Sequence, residues 1–184
     1  MRLLRRSGRT DVDEAFAAYY AARGNHLRNT AYLLCGDWHL AEDLTQTAFT
    51  KLYRAWHRIE QRDSLDGYAR RVLVRAFLDE RRRPWRREHA TVPESPALDG
   101  AEPGGMEPGD RMLVRAALAT LAPRYRAVLV LRFWADLPVE QVADILGCAT
   151  GTVKSQTSRG LAALRDALTA ADPELAHTIA GGRL

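Results

Sequence analysis

Lysine is almost absent from this 184-residue chain: Lys51 and Lys154 stand against 25 arginines. The positive charge is therefore carried by planar, forked donors that match phosphate and base edges, which makes nucleic acid a candidate partner. Cysteine is equally scarce. Cys35 and Cys148 have no cysteine or histidine neighbour at zinc spacing, and one pair is a poor basis for a secreted disulfide scaffold, so two buried structural thiols are expected. No run approaches the roughly 20 apolar residues of a membrane span, and the basic stretch 1–11 has no apolar signal core behind it. A cytoplasmic protein without membrane insertion is expected. The five histidines show no HExxH or other metal spacing, and there is no phosphate-binding glycine loop or nucleophile elbow, so no enzyme, catalytic residue, metal or cofactor is predicted. Alternating β-branched segments are missing as well, whereas 46% apolar residues exclude disorder over the whole chain.

What is present is unevenly distributed. The stretch 90–110, ATVPESPALDGAEPGGMEPGD, holds four of the eight prolines, four glycines, five carboxylates and no basic residue. It reads as an acidic, flexible linker. The formal charge of +4 thus separates into −5 on the linker and +9 on the rest. Both flanks are rich in Ala, Leu and Arg with apolar spacing near 3.6 and share no internal repeat, predicting an all-α chain of two small helical domains.

In the first domain, 40–59 reads as a helix with Leu44, Ala48, Leu52, Ala55, Trp56 and Ile59 on one stripe. Its opposite face carries Asp43, Gln46, Thr47, Thr50, Tyr53, Arg54 and His57; Gln, Thr and Tyr without Glu–Lys pairing suit a contact surface. A second helix over 65–83 turns Leu65, Ala69, Val72, Leu73, Ala76 and Phe77 inward. Arg71, Arg75 and Arg82 form an outward stripe, flanked by Arg70, Arg81, Arg83, Arg86 and Arg87, and Pro84 ends the helix. Few carboxylates neutralise this stripe, and Trp56, Tyr68 and Trp85 lie near it in sequence, as stacking on bases requires.

In the second domain, helices are predicted over 111–121 and 124–134, with Pro123 at a helix start. Pro138 opens a short helix that Gly147 closes in the left-handed conformation, and Thr150 is expected to cap a helix over 151–168. Val142, Ala143 and Leu146 face inward on the first, and Val153, Thr157, Leu161 and Leu164 on the second. Ala143 and Gly147 are expected to let the two cross closely, as in a helix-turn-helix. Docked in a major groove, the second helix presents Thr152, Ser155, Ser158 and Arg159 to base edges, with Lys154 suited to a phosphate.

Taken together, AEDLTQTAFTKLYRAW (41–56), SLDGYARRVLVRAFLDERRR (64–83) and LAPRYRAVLVLRFWADLPVEQVADILGCATGTVKSQTSRGLAALR (121–165) resemble regions 2.2, 2.3–2.4 and 4 of the sigma-70 family, specifically its extracytoplasmic-function (ECF) group. The resemblance implies sigma region 2 over 12–88, the linker over 89–110 and region 4 over 111–170. It implies a specificity subunit that binds core RNA polymerase, through the β′ clamp helices and β flap, and directs promoter-specific initiation. Asp43, Gln46, Thr47, Thr50 and Arg54 fall where the family docks on the clamp helices. Arg58, Asp63, Tyr68, Arg71, Arg75, Arg82 and Arg83 fall where it recognises and melts the minus-10 element, with a base leaving the stack. Thr152, Lys154, Ser155, Ser158 and Arg159 fall where it reads the minus-35 duplex. The linker falls where nascent RNA will run, with Glu94, Asp99, Glu102, Glu107 and Asp110 standing in for RNA phosphates. An anti-sigma factor is the regulatory partner the family implies, and the chain is expected to be monomeric.

Some positions depart from the commonest family pattern. Pro138 replaces a serine or threonine cap, Ala149 a proline or serine, Gln156 and Thr157 an arginine and a leucine, and Tyr68 a tryptophan. Gln156 is expected near the edge of the buried face. An autonomous helix-turn-helix regulator, dimeric and with the first domain as a sensor, is the alternative class; it would bind duplex unaided at half-sites one turn apart.

Overall fold

The computed structural model describes residues 4–59, 62–82 and 108–171. The described residues are helical, without strands. Lobe 1 contains α1 (Leu4–Cys35), α2 (Trp38–Ala55), a 3-10 turn (Trp56–Arg58) and α3 (Arg62–Arg82). Lobe 2 contains α4 (Pro108–Thr120), α5 (Pro123–Leu129) running into a π-helical segment (Val130–Trp134), α6 (Val139–Leu146) and α7 (Thr150–Ala171). The long α1 was not among the predicted helices, and α4 begins inside the stretch read as linker. The remainder of that stretch, including Glu94, Asp99, Glu102 and Glu107, lies outside the described residues, as do Arg83 and Pro84.

Local chemistry sets the helix ends. Gly36, at φ +74°, ends α1, with its N–H donating to the Tyr32 carbonyl at 2.7 Å. Asp37 then caps α2, its Oδ1 accepting from the Leu40 N–H at 3.0 Å. Gly147 ends α6 at φ +64°, as the sequence suggests. Two local expectations change. Thr150 is the first residue of α7 and does not cap it; the Ala149 carbonyl accepts from the N–H groups of Thr152 and Val153 instead. A Cβ on Gly147 would meet nothing within 4 Å, so that glycine serves backbone conformation and not helix crossing. The close crossing lies at Gly160 on α7, where a Cβ would sit 3.2 Å from Leu129 Cγ of α5.

Lobe 1 is a three-helix unit closed by Leu44, Ala48 and Leu52 of α2 against Leu73, Val74 and Phe77 of α3. At its far end Phe16 and Tyr19 pack edge-on against Phe49 and Trp56. The lobes are not separate bodies. Val128 and Leu131, with Val142 and Ile145 of α6, join the same buried cluster as the lobe 1 core. Arg126 of α5, 3% exposed, reaches across the boundary and donates to the Leu34 carbonyl at 2.9 Å, and within lobe 2 to the carbonyls of Leu121 and Ala119. Arg81 of α3 donates to the adjacent Cys35 carbonyl at 3.0 Å. The C-terminus of α1, the negative end of its dipole, is thus met by two guanidinium groups, one from each lobe.

Candidate polymerase and promoter interface

On α2 the predicted contact face is solvent-facing. Asp43, Gln46, Thr50 and Arg54 are exposed and Thr47 is half-buried, while Leu44, Ala48, Leu52 and Ala55 on the other side are buried. Thr45, between the two, is buried and returns its hydroxyl to the Ala41 carbonyl at 2.7 Å, which removes it from the contact face. Tyr53 closes the edge nearest α1, its hydroxyl donating to the Asp13 carboxylate at 2.5 Å.

The arginine stripe of α3 separates into two kinds. Arg71 and Arg75 are exposed, and Tyr68 is half-buried against the core. Arg70 and Arg81, read from sequence as flanking the stripe, are committed to the fold: Arg70 pairs with Asp66 at 3.8 Å and Arg81 caps α1. Asp66 is the hub of this end of lobe 1. It also accepts from the Tyr19 hydroxyl at 2.7 Å and pairs with Arg23 at 3.5 Å. Burial, the bond to Asp66 and its charge raise the Tyr19 phenol well above the ordinary range. Arg58 is exposed on the 3-10 turn; the side chains of Asp63 and Arg82, like the whole of Arg83, lie outside the described residues.

Lys154, Ser155, Ser158 and Arg159 of α7 are exposed and Thr152 is half-buried, with Val153 buried beneath them. Ser155 turns its hydroxyl back to the Thr152 carbonyl at 3.0 Å. Thr157 does the same to Val153 at 2.8 Å, so a polar residue occupies an inward position with its donor satisfied. Gln156 is half-buried at the edge of that face, as expected. Thr152, Ser155, Gln156 and Arg159 also line a cleft of about 510 Å³, together with Ala122–Tyr125 at the start of α5 and Leu78 and Arg81 of lobe 1. A second cleft, of about 330 Å³, lies between Arg70 and Arg71 of α3 and Gln141 and Asp144 of α6. Sequence reasoning missed this juxtaposition of both predicted DNA faces with the interlobe boundary, which no periodicity signals.

The thiols differ from each other. Cys35 is buried, donates to the Asp37 carbonyl at 3.1 Å and is pushed up to about 11 by burial, an inert structural thiol. Cys148 is only half-buried, against expectation, because it sits in the exposed turn between α6 and α7. No group of three or more metal-ligating side chains occurs among the described residues.

Comparison with known proteins now bears on these faces. Residues 19–87 match the family model of sigma-70 region 2, and residues 111–164 that of sigma-70 region 4. An RNA polymerase sigma-E factor of Streptomyces coelicolor is 38% identical over 159 residues, 85% of this chain and 88% of the relative. This chain belongs to the sigma-70 family, in its ECF group. The ECF sigma factor SigE of Mycolicibacterium smegmatis is 35% identical over 154 residues, 80% of this chain and 59% of that protein. Among solved structures, the sigma factor RpoE of Bartonella quintana, in complex with the anti-sigma factor NepR, aligns with a TM-score of 0.67 at 26% identity, covering 85% of this chain and 98% of that one. CnrH in complex with the cytosolic domain of CnrY aligns at 0.60 and 21% identity, covering 87% and 90%, and speaks for the fold alone. Promoter-specific transcription initiation by RNA polymerase is the function of this family, whose members are specificity subunits rather than catalysts. The region 2 match replaces the alternative of a sensor domain attached to an autonomous regulator. No described helix of this sigma factor is long and apolar enough to cross a membrane.

Proposed function

We propose that this sigma factor docks on the β′ clamp helices of core RNA polymerase through Asp43, Gln46, Thr47, Thr50 and Arg54, melts the minus-10 element with the arginine face of α3, and reads the minus-35 duplex with α7. The observation that carries the reading is the separation of faces on α2 and α7: apolar residues are buried on one side, and polar and cationic residues, Asp43, Gln46, Thr50 and Arg54 on α2 and Lys154, Ser158 and Arg159 on α7 among them, are exposed on the other. On α3, Arg71 and Arg75 supply cations to phosphates, and Tyr68, half-buried, is an aromatic ring against which an extruded base can pack. On α7, Arg159 has the fork that matches guanine, Ser155 and Ser158 the short hydroxyls that serve several bases, and Lys154 the point charge that suits a phosphate. The chain contributes no catalytic residue, metal or cofactor of its own and works in the cytoplasm as a monomer on core polymerase, with region 4 also meeting the β flap. The Bartonella quintana sigma factor, solved in complex with the anti-sigma factor NepR, supports an anti-sigma partner for this chain as well.

In vitro transcription with purified core polymerase on a pool of genomic templates tests the reading: specific starts are expected with the chain and none without it. Asp43→Ala combined with Gln46→Ala should weaken core binding by about tenfold or more, the usual loss at an interface anchor, with the helical circular dichroism unchanged. Core capture at undiminished strength would remove the docking assignment.

A further inference from the structure

The two clefts between the lobes differ in charge. In the smaller one, of about 330 Å³, Arg70 and Arg71 share the lining with Asp66 and Asp144, so opposite charges offset one another. The larger one, of about 510 Å³, is lined by Arg81 of lobe 1 and by Arg124 and Arg159 of lobe 2, and by no carboxylate. Arg81 is half-buried and held by its bond to the Cys35 carbonyl, which keeps its charge at the cleft. Arg124, at the start of α5, and Arg159 are exposed and form no ion pair within the described residues. Packing the lobes therefore brings three like charges to one space whose lining has no counter-charge. The Gln156 amide and the Thr152 hydroxyl add neutral donors, and half-buried Tyr125 adds a ring. The volume is that of a small-ligand site and far below what a duplex needs.

We infer that this cleft binds an oligophosphate, free or as the phosphate chain of a nucleotide, and that the bound anion ties the lobes together. A single carboxylate would leave two of the three guanidinium groups unmatched, whereas an oligophosphate carries several negative charges along a short chain. Arginine forks suit its oxygens, each guanidinium presenting paired N–H donors to a phosphoryl group. Because the anion meets Arg81 from one lobe and Arg124 and Arg159 from the other, it binds the closed chain better than a separated one. It shifts the population toward closure by that difference in affinity. The site itself follows from the packing of the lobes. Its regulatory consequence rests on the proposed reading of the minus-35 duplex by α7: Thr152 and Arg159 serve both ligands, so anion and duplex compete for them.

Calorimetric titration of the full chain with tripolyphosphate and with ATP, in magnesium-free buffer, tests the site. Saturation at one tripolyphosphate per chain is expected. Tighter binding of ATP would show that Tyr125 also takes the base, and equal binding that the phosphates alone are held; either upholds the site. Arg81→Gln and Arg124→Gln, one from each lobe, should each weaken binding about tenfold or more, the usual loss of a charge-assisted contact. Arg165→Gln, exposed on α7 outside the cleft, should leave it unchanged. Absence of saturable binding would overturn the site, and so would an equal loss in all three variants, which is mere attraction to a basic chain. Arg81 also holds the Cys35 carbonyl, so should Arg81→Gln lose helical circular dichroism, Arg124→Glu decides at an exposed position, where undiminished binding refutes the site. Competition is read separately, from the fluorescence anisotropy of a minus-35 duplex with the full chain. A duplex held equally well at saturating tripolyphosphate would count against the reading of α7 while the calorimetry upholds the cleft.

Discussion

Arginine serves two opposite purposes in this protein, and burial decides which. Arg126 is a structural cation: it satisfies carbonyls at the ends of α1 and α4, and desolvation lowers it to about 10. Arg71, Arg75 and Arg159 keep their donors toward solvent, where phosphates and base edges can use them. Lys154→Ala should weaken promoter binding by the holoenzyme evenly across sequences and reduce the slope of log affinity against log salt by about one, as for one lost phosphate contact. Arg159→Ala should instead cost about 1–3 kcal/mol at one base pair and relax the preference there. Binding titrations at several salt concentrations on matched and mutated minus-35 duplexes separate the two. Cys35 gives a stability prediction. Its folded-state value of about 11 lies above the ordinary thiol range, so its contribution is complete below about pH 8.5 and is lost as the pH rises through 11. Cys35→Ala should flatten the alkaline limb of chemical denaturation by about 3 kcal/mol between those limits.

At the scale of elements, the two glycines flanking the exposed face of α7 have unlike duties. Gly147 needs its left-handed backbone and has open space around it, so Gly147→Ala should cost about 1 kcal/mol and Gly147→Asn less, since asparagine tolerates that conformation. Gly160 has ordinary helical geometry but faces the buried Leu129, so Gly160→Val should cost about 2 kcal/mol or more by forcing α5 from α7. Thermal unfolding of the variants gives both orders. That α2, α3, α6 and α7 exist was legible in the sequence because the 3.6-residue period is local, and so was the end of α6 at Gly147; α2 instead leaves the α-helical path at Ala55, four residues before the predicted end, and α7 starts at Thr150 without the expected cap. The capping asparate Asp37 and the 32-residue α1 were not read, the latter because its apolar residues are spread over several faces that meet different partners: Phe16 toward Phe49, Leu27 and Leu34 toward the common core. The π-helical step at Val130–Trp134, where the Ala135 N–H reaches back to Val130, has no periodic signature either.

For the whole molecule, the decisive feature is that lobe 2 closes on lobe 1 through buried apolar contacts. Ile145→Asp places a charge into that seam while leaving the α6–α7 turn intact, so it should expand the chain in scattering at neutral pH without loss of helix content. The amino-acid sequence by itself determined that α2, α3, α6 and α7 are helices, the polar faces of α2 and α7, and the two family regions, because each depends on residue spacing within one segment. Tertiary structure alone decided which arginines are exposed and which hold carbonyls, and that Ile145 and Val128 bury against the other lobe. Residues far apart in the chain meet there, and desolvation and charge pairing between them cannot be read from either segment alone.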